Sequence, residues 1–385
     1  MIVGAMGFMF GTGGSALIAK TMGEGNKEKA QNIFSLVVFS TFITGFVVAV
    51  LSIIFLRPIT VLLGAKWEML NTCVLYGRVF LVALPFLMLQ YTFSSLVVTD
   101  EKPKFGLIIT IAAGFINMIC DALFMAIFQW DVVGAALASA LGQIVGGVVP
   151  LIYFAQKNSS LFILCKPQWD DKALKKVCVN DSSELMSNIS MPLVSMLYNA
   201  QLMKYAGENG IAAYGTIMYV NFIFLAIFIG YSTGMAPVIS YHYGAGNTKE
   251  LKSLLKKSSV FLFISSVLMF VIAEFMELPL AKIYVGYNTV LLEMTAHAFA
   301  VYAFSFLFAG FSIFGSAFFT ALNDGLTSAL ISFLRTLLFQ SAAVLILPLI
   351  WGLEGIWYSI VVAELMAILI TIIFLFIKRK KYRYW

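Results

Sequence analysis

Long apolar runs alternate with shorter polar intervals along this 385-residue chain. Each run contains about 20 residues, the length that an α-helix needs to cross the hydrocarbon core of a bilayer. We therefore predict eleven membrane-spanning helices, at residues 2–19, 33–56, 74–98, 105–128, 132–155, 184–206, 211–239, 258–275, 295–321, 326–350 and 355–377.

The chain carries an internal repeat with a spacing of 221 residues. Its two copies read Thr12-Gly13-x9-Gly23-x-Gly25-Asn26 and Thr233-Gly234-x9-Gly244-x-Gly246-Asn247. The same shift superposes Trp130 and Gly134 on Trp351 and Gly355. A repeat of this size predicts an all-α membrane protein made of two homologous helix bundles. We place the bundles at residues 1–155 and 184–385, joined by a cytoplasmic linker at 156–183.

One segment of the second half has no partner in the first half. A shift of residues 184–206 by the repeat length places that partner before Met1. We therefore expect a longer parent protein with twelve helices, the first of which precedes this sequence. No basic stretch precedes the first apolar segment, so no cleavable signal peptide is predicted.

Composition agrees with a protein of the membrane, because 61% of the residues are hydrophobic and only 11% are charged. If the loops alternate sides, nineteen Lys and Arg residues fall on one side and five on the other, with Arg335 inside a segment. This asymmetry places the C-terminus in the cytoplasm. The net charge of +6 thus reflects topology. We expect a monomeric, multi-pass protein of the cytoplasmic membrane, in contact with lipids and with no nucleic-acid partner.

The repeated Gly-x-Gly-Asn motifs are typical of a helix end followed by a new helix. A phosphate-binding loop is the alternative, but neither motif follows a strand or matches a Walker or dinucleotide pattern. Energy for transport would then come from an ion gradient. No nucleophile with a nearby base and no metal-ligand spacing occurs in the sequence, so we expect no enzyme, no metal and no organic cofactor.

Acidic residues inside apolar segments are candidates for cation coupling, because a charge at the bilayer centre costs about 2.5–3.5 kcal/mol. Asp121 lies in the fourth segment, and Asn117 precedes it by one helical turn. Glu184 begins the sixth segment, which is unusually polar. A hydrogen bond between helices is the alternative role for Asp121, and a surface role is the alternative for Glu184.

Other polar residues within the segments are candidates for a substrate cavity. Arg335 needs a counter-charge, which either Glu364 or Glu184 can supply; Asp324 is too far along the same helix. Glu364 and Gln143 are related by the repeat, which also fits a structural contact. Aromatic and amide side chains would receive a flat, apolar cation. The predicted cavity residues are Gln90, Tyr198, Asn199, Asn221, Arg335 and Glu364.

The doubled glycine motif, Asn117-x3-Asp121, Gly134-Ala135-Ala136 and the polar linker together resemble the multidrug and toxic compound extrusion (MATE) family of secondary transporters. The resemblance covers essentially the whole chain. It implies export of amphipathic, often cationic compounds in exchange for H⁺ or Na⁺ through a central cavity. It also implies a cation site at Asn117 and Asp121, with Glu184 near a further acidic position of the family. The family's first helix has no counterpart here, and Asp181 stands where relatives often have glycine.

Two other functions remain open at this stage. A lipid-linked saccharide flippase has a similar architecture, although we expect such a protein to carry more buried Arg or Lys for a pyrophosphate, and this chain offers mainly Arg335. A truncated membrane fragment without transport activity is the other alternative.

Overall fold

All regular structure in the described part of the chain, residues 2–62 and 64–385 of a computed structural model, is helical. Two stretches are π-helical, Ala122–Ile127 and Leu334–Phe339. The α-helices are α1 (Ile2–Gly23), α2 (Lys27–Leu62), α3 (Trp67–Val82), α4 (Leu84–Thr99), α5 (Pro103–Asp121), α6 (Asp131–Ala155), α7 (Asp171–Asn180), α8 (Ser182–Gly244), α9 (Thr248–Val285), α10 (Thr289–Ala303), α11 (Phe306–Ala321), α12 (Gly325–Phe333), α13 (Gln340–Trp351) and α14 (Leu353–Tyr382).

These helices reproduce the eleven predicted segments. Within the described residues, seven helices are long and apolar enough to cross a membrane. The pairs α3–α4 and α10–α11 add two spans, each bent by 50°. The other two predicted segments fall in α1, of 22 residues, and in one of the two helices into which α8 divides. The most apolar stretches of the seven long helices have only 11–39% of their residues buried inside the protein, so most of this apolar surface faces outward, as expected for contact with lipid.

The break in α8 lies at Gly207, whose backbone angles of φ 64° and ψ −152° are not helical. Tyr198 and Tyr214, on opposite sides of the break, stack with their ring centroids 5.0 Å apart. In a straight helix, residues sixteen positions apart would lie about 24 Å from each other. The chain therefore folds back at Gly207, as the predicted gap between residues 206 and 211 requires.

The repeat is visible in the backbone as well as in the sequence. Gly25 and Gly246 both adopt positive φ, at 82° and 67°, and each lies two residues beyond the end of a helix. The following asparagines cap the next helix: Asn26 Oδ1 accepts a hydrogen bond from the Lys29 amide, and Asn247 Oδ1 from the Glu250 amide. The glycine motif thus stops one helix and starts the next in both halves. This agrees with the helix-end interpretation, because each motif shapes the junction between two helices.

The chain divides into an N-terminal unit up to Val179 and a C-terminal unit, Asn180–Trp385. Most of the predicted linker, at 156–183, belongs to the N-terminal unit. Asp100 Oδ1 accepts hydrogen bonds of 2.7 Å from the Ser160 hydroxyl and the Leu161 amide. The ring of Phe162 is buried and stacks on Phe34, 5.1 Å away. Polar and aromatic contacts therefore hold this segment in place.

Candidate functional site: two groups of buried polar side chains

Asn117 and Asp121 lie one turn apart on α5, and both are half-buried. A methyl group added to Gly142 of α6 would lie 3.1 Å from the Asn117 Cβ, so this glycine lets the two helices approach closely. Directly after Asp121 the helix widens into the π-helical turn, a feature that often occurs at functional sites. Within the described residues neither side chain makes a hydrogen bond.

Two glutamines lie on or against α6, near the helix that carries Asn117 and Asp121. Gln90 of α4 lies against Gly146, one turn beyond Gly142, and leaves no room for a larger residue there. The side-chain carbonyl oxygen of Gln143 is buried and has no hydrogen-bond partner among the described residues. Gln90, Asn117, Asp121 and Gln143 are called the N-terminal polar group below. Its carboxyl and amide oxygens are ligands that suit a small cation.

The C-terminal unit contains a buried ion pair between Arg335 and Glu364. Arg335 lies in the π-helical turn after α12 and Glu364 in α14. The Arg335 Nε donates to both Glu364 oxygens at 2.9 Å, and Nη2 lies 2.9 Å from Oε1. The two side chains are only 16% and 3% exposed. Glu364 is therefore the direct partner of Arg335, which resolves the choice that the sequence left open.

Two further carboxyl groups lie in the same unit. Glu184 at the start of α8 is close enough to Arg335 to interact with it electrostatically, although not as a direct ion pair. Asp181, at the N-terminus of α8, is buried and accepts a 3.0 Å hydrogen bond from the Ser183 hydroxyl. Burial and the nearby charge of Glu184 raise the pKa of Asp181. Asp181, Glu184, Arg335 and Glu364 are called the C-terminal charge cluster.

Three buried tyrosines adjoin this cluster. Tyr198 and Tyr214 form the stacked pair, and the hydroxyl of Tyr198 lies near Ser359 without a hydrogen bond of standard geometry. Tyr302 of α10 is buried beside them and is close enough to Arg335 and Glu364 to feel their charges. An arginine–glutamate pair beside aromatic faces can receive a ligand that is both charged and apolar.

The other predicted cavity residues lie elsewhere in the C-terminal unit. Asn199 is half-buried, and Asn221 is buried with an unpartnered side-chain oxygen. No hydrogen bond among the described residues joins either of them to the charge cluster. Sequence reasoning assigned no site role to Asp181, Tyr214 or Tyr302. Asp181 had a local signal, its position three residues before Glu184, whereas the tyrosines approach the ion pair only through tertiary packing.

A duplicated set of apolar helices with a few buried ionisable groups defines a polytopic membrane transporter. The model of the MatE family matches residues 1–123 and 185–344, well over half of the chain. The chain therefore belongs to the MatE family of multidrug and toxic compound extrusion transporters.

Individual relatives agree with this family. The multidrug export protein MepA of Staphylococcus haemolyticus is 28% identical over 254 residues, which are 66% of this chain but only 56% of that protein. MepA of Staphylococcus aureus strain N315 is 24% identical over 389 residues, covering 99% of this chain and 84% of the relative. A crystal structure of a MATE protein in complex with MaL6 has a TM-score of 0.94 at 19% identity, covering all of this chain and 86% of that one. An outward-facing multidrug resistance MATE transporter has the same score, identity and coverage. The structural likeness confirms the fold.

Proposed function

We propose that this protein is a secondary active antiporter, which exports amphipathic, often cationic compounds in exchange for H⁺ or Na⁺. The observation that carries the proposal is the charge imbalance of the C-terminal charge cluster. Arg335 pairs with Glu364 and interacts electrostatically with Glu184, and the charge of Glu184 in turn acts on the buried Asp181, so three carboxyl groups are linked to a single cation.

This imbalance has a physical consequence. A buried carboxylate needs a proton, a metal cation or a cationic side chain, because low-polarity surroundings disfavour an isolated charge. Arg335 compensates the charge of Glu364 directly, so the other two carboxyl groups, Asp181 and Glu184, can bind an entering H⁺, Na⁺ or cationic substrate. If the same groups bind these cations in turn, the cations compete, and competition for one site is the simplest basis for exchange. Asp121 and the amide oxygens around it offer a second place for the coupling ion.

The substrate class follows from the surroundings of the cluster and from the relatives. Stacked tyrosine rings offer faces to which an organic cation is attracted. The staphylococcal relatives are named multidrug export proteins. A lipid-linked saccharide flippase needs a free buried cation for the pyrophosphate, whereas the guanidinium of Arg335 is occupied by Glu364. The geometry therefore favours export of cations over movement of an anionic lipid.

The test is efflux of a fluorescent lipophilic cation from drug-sensitive cells that produce the chain. We expect export by the wild type and a loss of at least about tenfold in Glu184→Gln and in Asp121→Asn, since each change removes a carboxylate that can bind the coupling ion. Glu293→Gln is the matched control, because Glu293 is exposed on α10 and the substitution changes the charge by the same amount.

Proteoliposomes with either a pH gradient or a Na⁺ gradient then identify the coupling ion. Export that continues unchanged in both variants would refute the assigned residues. If the wild-type protein inserts into the membrane but transports under neither gradient, the antiporter proposal is wrong. The flippase would then be tested with a fluorescent lipid-linked saccharide, and a non-transporting fragment would be inactive in both assays.

A further inference from the structure

A basic pocket lies where the N-terminus of α9 meets the last residues of the chain. Its volume is about 430 Å³, and its lining combines four basic side chains with a threonine and a tryptophan. The lining residues are Thr248, Lys252, Arg379, Lys380, Arg383 and Trp385. A ligand with at least one negative charge is the one that this lining fits.

The residues after Ile377 are held in place by alternate side chains. Tyr382 is buried and donates a 2.7 Å hydrogen bond to Asp324. Tyr384 is also buried and donates to the Leu375 carbonyl oxygen at 2.9 Å. Because these two tyrosines point inward, the intervening Arg383 and the following Trp385 are exposed and available to the pocket. The two tyrosines thus fix the backbone of the last residues, so the basic side chains of the pocket are already positioned before a ligand binds.

The positive charge of the pocket is not neutralised by the protein. Within residues 2–62 and 64–385, none of the four basic side chains of the pocket takes part in an ion pair. The nearby carboxylate of Asp324 is engaged by Lys378 at 3.1 Å and more distantly by Lys381 at 3.9 Å, neither of which lines the pocket. The N-terminal end of α9 adds a further positive partial charge.

The internal repeat shows what this surface lacks. By the 221-residue shift, Gln31, Asn32 and Ser35 of α2 correspond to Lys252, Ser253 and Lys256 of α9. In the N-terminal unit the chain itself covers these three residues: Gln31 bonds Ile163, Asn32 bonds Gln168, and Ser35 bonds the amide of Cys165. On the equivalent face of α9, Lys252 and Lys256 are exposed, and no hydrogen bond among the described residues joins their side chains to another part of the chain. Two of the three polar, neutral residues are replaced by lysines, so a partner for this face would have to carry negative charge.

An apolar surface continues from the basic residues. A second cavity, of about 610 Å³, follows α9 from Ser253, Lys256 and Lys257 to Val260, Phe261 and Ile264. The pocket therefore lies at the level where apolar helix gives way to polar chain, and the exposed Trp385 is a residue type that favours the membrane interface. A ligand with a charged head and a hydrocarbon chain matches both cavities, whereas a free inorganic anion uses only the first.

We propose that this basic pocket binds the phosphate headgroup of an anionic phospholipid, with an acyl chain along the apolar part of α9. The site is separate from the C-terminal charge cluster, and none of its lining residues has been assigned to transport above. An anionic lipid would fasten the end of α14 to the start of α9.

The experiment is native mass spectrometry of the full chain in detergent, titrated with phosphatidylglycerol or with phosphatidylcholine of the same acyl chains. We expect one phosphatidylglycerol to bind at least about tenfold more tightly than phosphatidylcholine. The triple variant Arg379→Gln/Lys380→Gln/Arg383→Gln should lose this preference. The control Lys172→Gln/Lys175→Gln/Lys176→Gln removes the same charge from exposed positions on α7 and should retain it.

Three outcomes would overturn the proposal: no preference for phosphatidylglycerol, an equal loss in both triple variants, or displacement of the lipid by inorganic phosphate but not by chloride of equal ionic strength. The last result would identify a site for a soluble anion. If the tail variant unfolds, Lys252→Gln provides the same test, because Lys252 is exposed and lies on α9 instead of the tail. Full lipid preference in that variant would also contradict the proposal.

Discussion

The ion pair between Arg335 and Glu364 allows a quantitative test of the C-terminal charge cluster. Removal of one partner from a buried pair typically costs about 3–5 kcal/mol, whereas replacement of both by apolar residues of similar size is often nearly neutral. Three nitrogen–oxygen contacts of 2.9 Å and exposures of 16% and 3% place this pair in the buried class.

The two single variants should differ in cost because of Glu184. Arg335→Met leaves Glu184 and Glu364 without their cation, so we expect the free energy of unfolding to fall by about 5 kcal/mol, the upper end of the range for a broken buried pair. Glu364→Met leaves Arg335 close enough to Glu184 for partial compensation of its charge, so we expect the free energy of unfolding to fall by only about 3 kcal/mol. The double variant should be destabilised by less than either single one, by about 1 kcal/mol.

The assay is reversible unfolding in mixed micelles, with the free energy of unfolding measured for all four proteins of the double-mutant cycle. A coupling energy of several kcal/mol is expected from these values. If the loss of stability in the double variant equals the sum of the losses in the two single variants, Arg335 and Glu364 are not energetically coupled. If Glu364→Met costs as much as Arg335→Met, Glu184 does not compensate Arg335 as the cluster requires.

Two other predictions concern α8. Gly207→Ala should lower the free energy of unfolding by about 1–3 kcal/mol, because the φ and ψ of Gly207 lie in a region that is nearly exclusive to glycine. Gly215→Ala is the control, because Gly215 is helical with open space around it, and it should not change the free energy of unfolding. Equal losses in the two variants would contradict the reversal of the chain at Gly207. Asp181→Asn should stabilise the protein at neutral pH. The folded-state pKa of Asp181 is raised, so ionisation of this carboxyl lowers the free energy of unfolding as the pH rises above the unfolded pKa of about 3.9. The difference in stability between Asp181→Asn and the wild type should vanish below that pH. A difference that stays constant between pH 3 and pH 7 would show that Asp181 does not titrate in this way.

The positions of the helices could be predicted from the sequence because the membrane imposes a length on each apolar run. The gap at residues 207–210 was visible as a polar interruption, and the repeat located the junctions at Gly25 and Gly246. The 50° bend before Phe306 was not predicted, since it lies within a continuous apolar run. The two π-helical turns likewise have no signal in the hydropathy.

The candidate site was predictable only in part, for a related reason. Ionisable residues in apolar segments stand out, and this drew attention to Asp121, Glu184, Arg335 and Glu364. Which of them meet depends on how the helices pack, so the partner of Arg335 remained a choice between two acids. The linker at 156–183 stays a prediction, and the contacts of its polar and aromatic residues with the N-terminal unit were not predicted because they depend on tertiary structure.

The two halves share their backbone plan but not their ionisable residues. At the repeat spacing Glu364 corresponds to Gln143, Arg335 to Gly114, and Asp121 to Ala342. The residues that do recur, at the glycine motifs and at Trp130 and Trp351, shape helix ends and turns. A charge buried in one unit therefore has no copy at the equivalent place in the other. Such unit-specific charges agree with the proposed function, in which Asp121 in the N-terminal unit and the charge cluster in the C-terminal unit would bind cations.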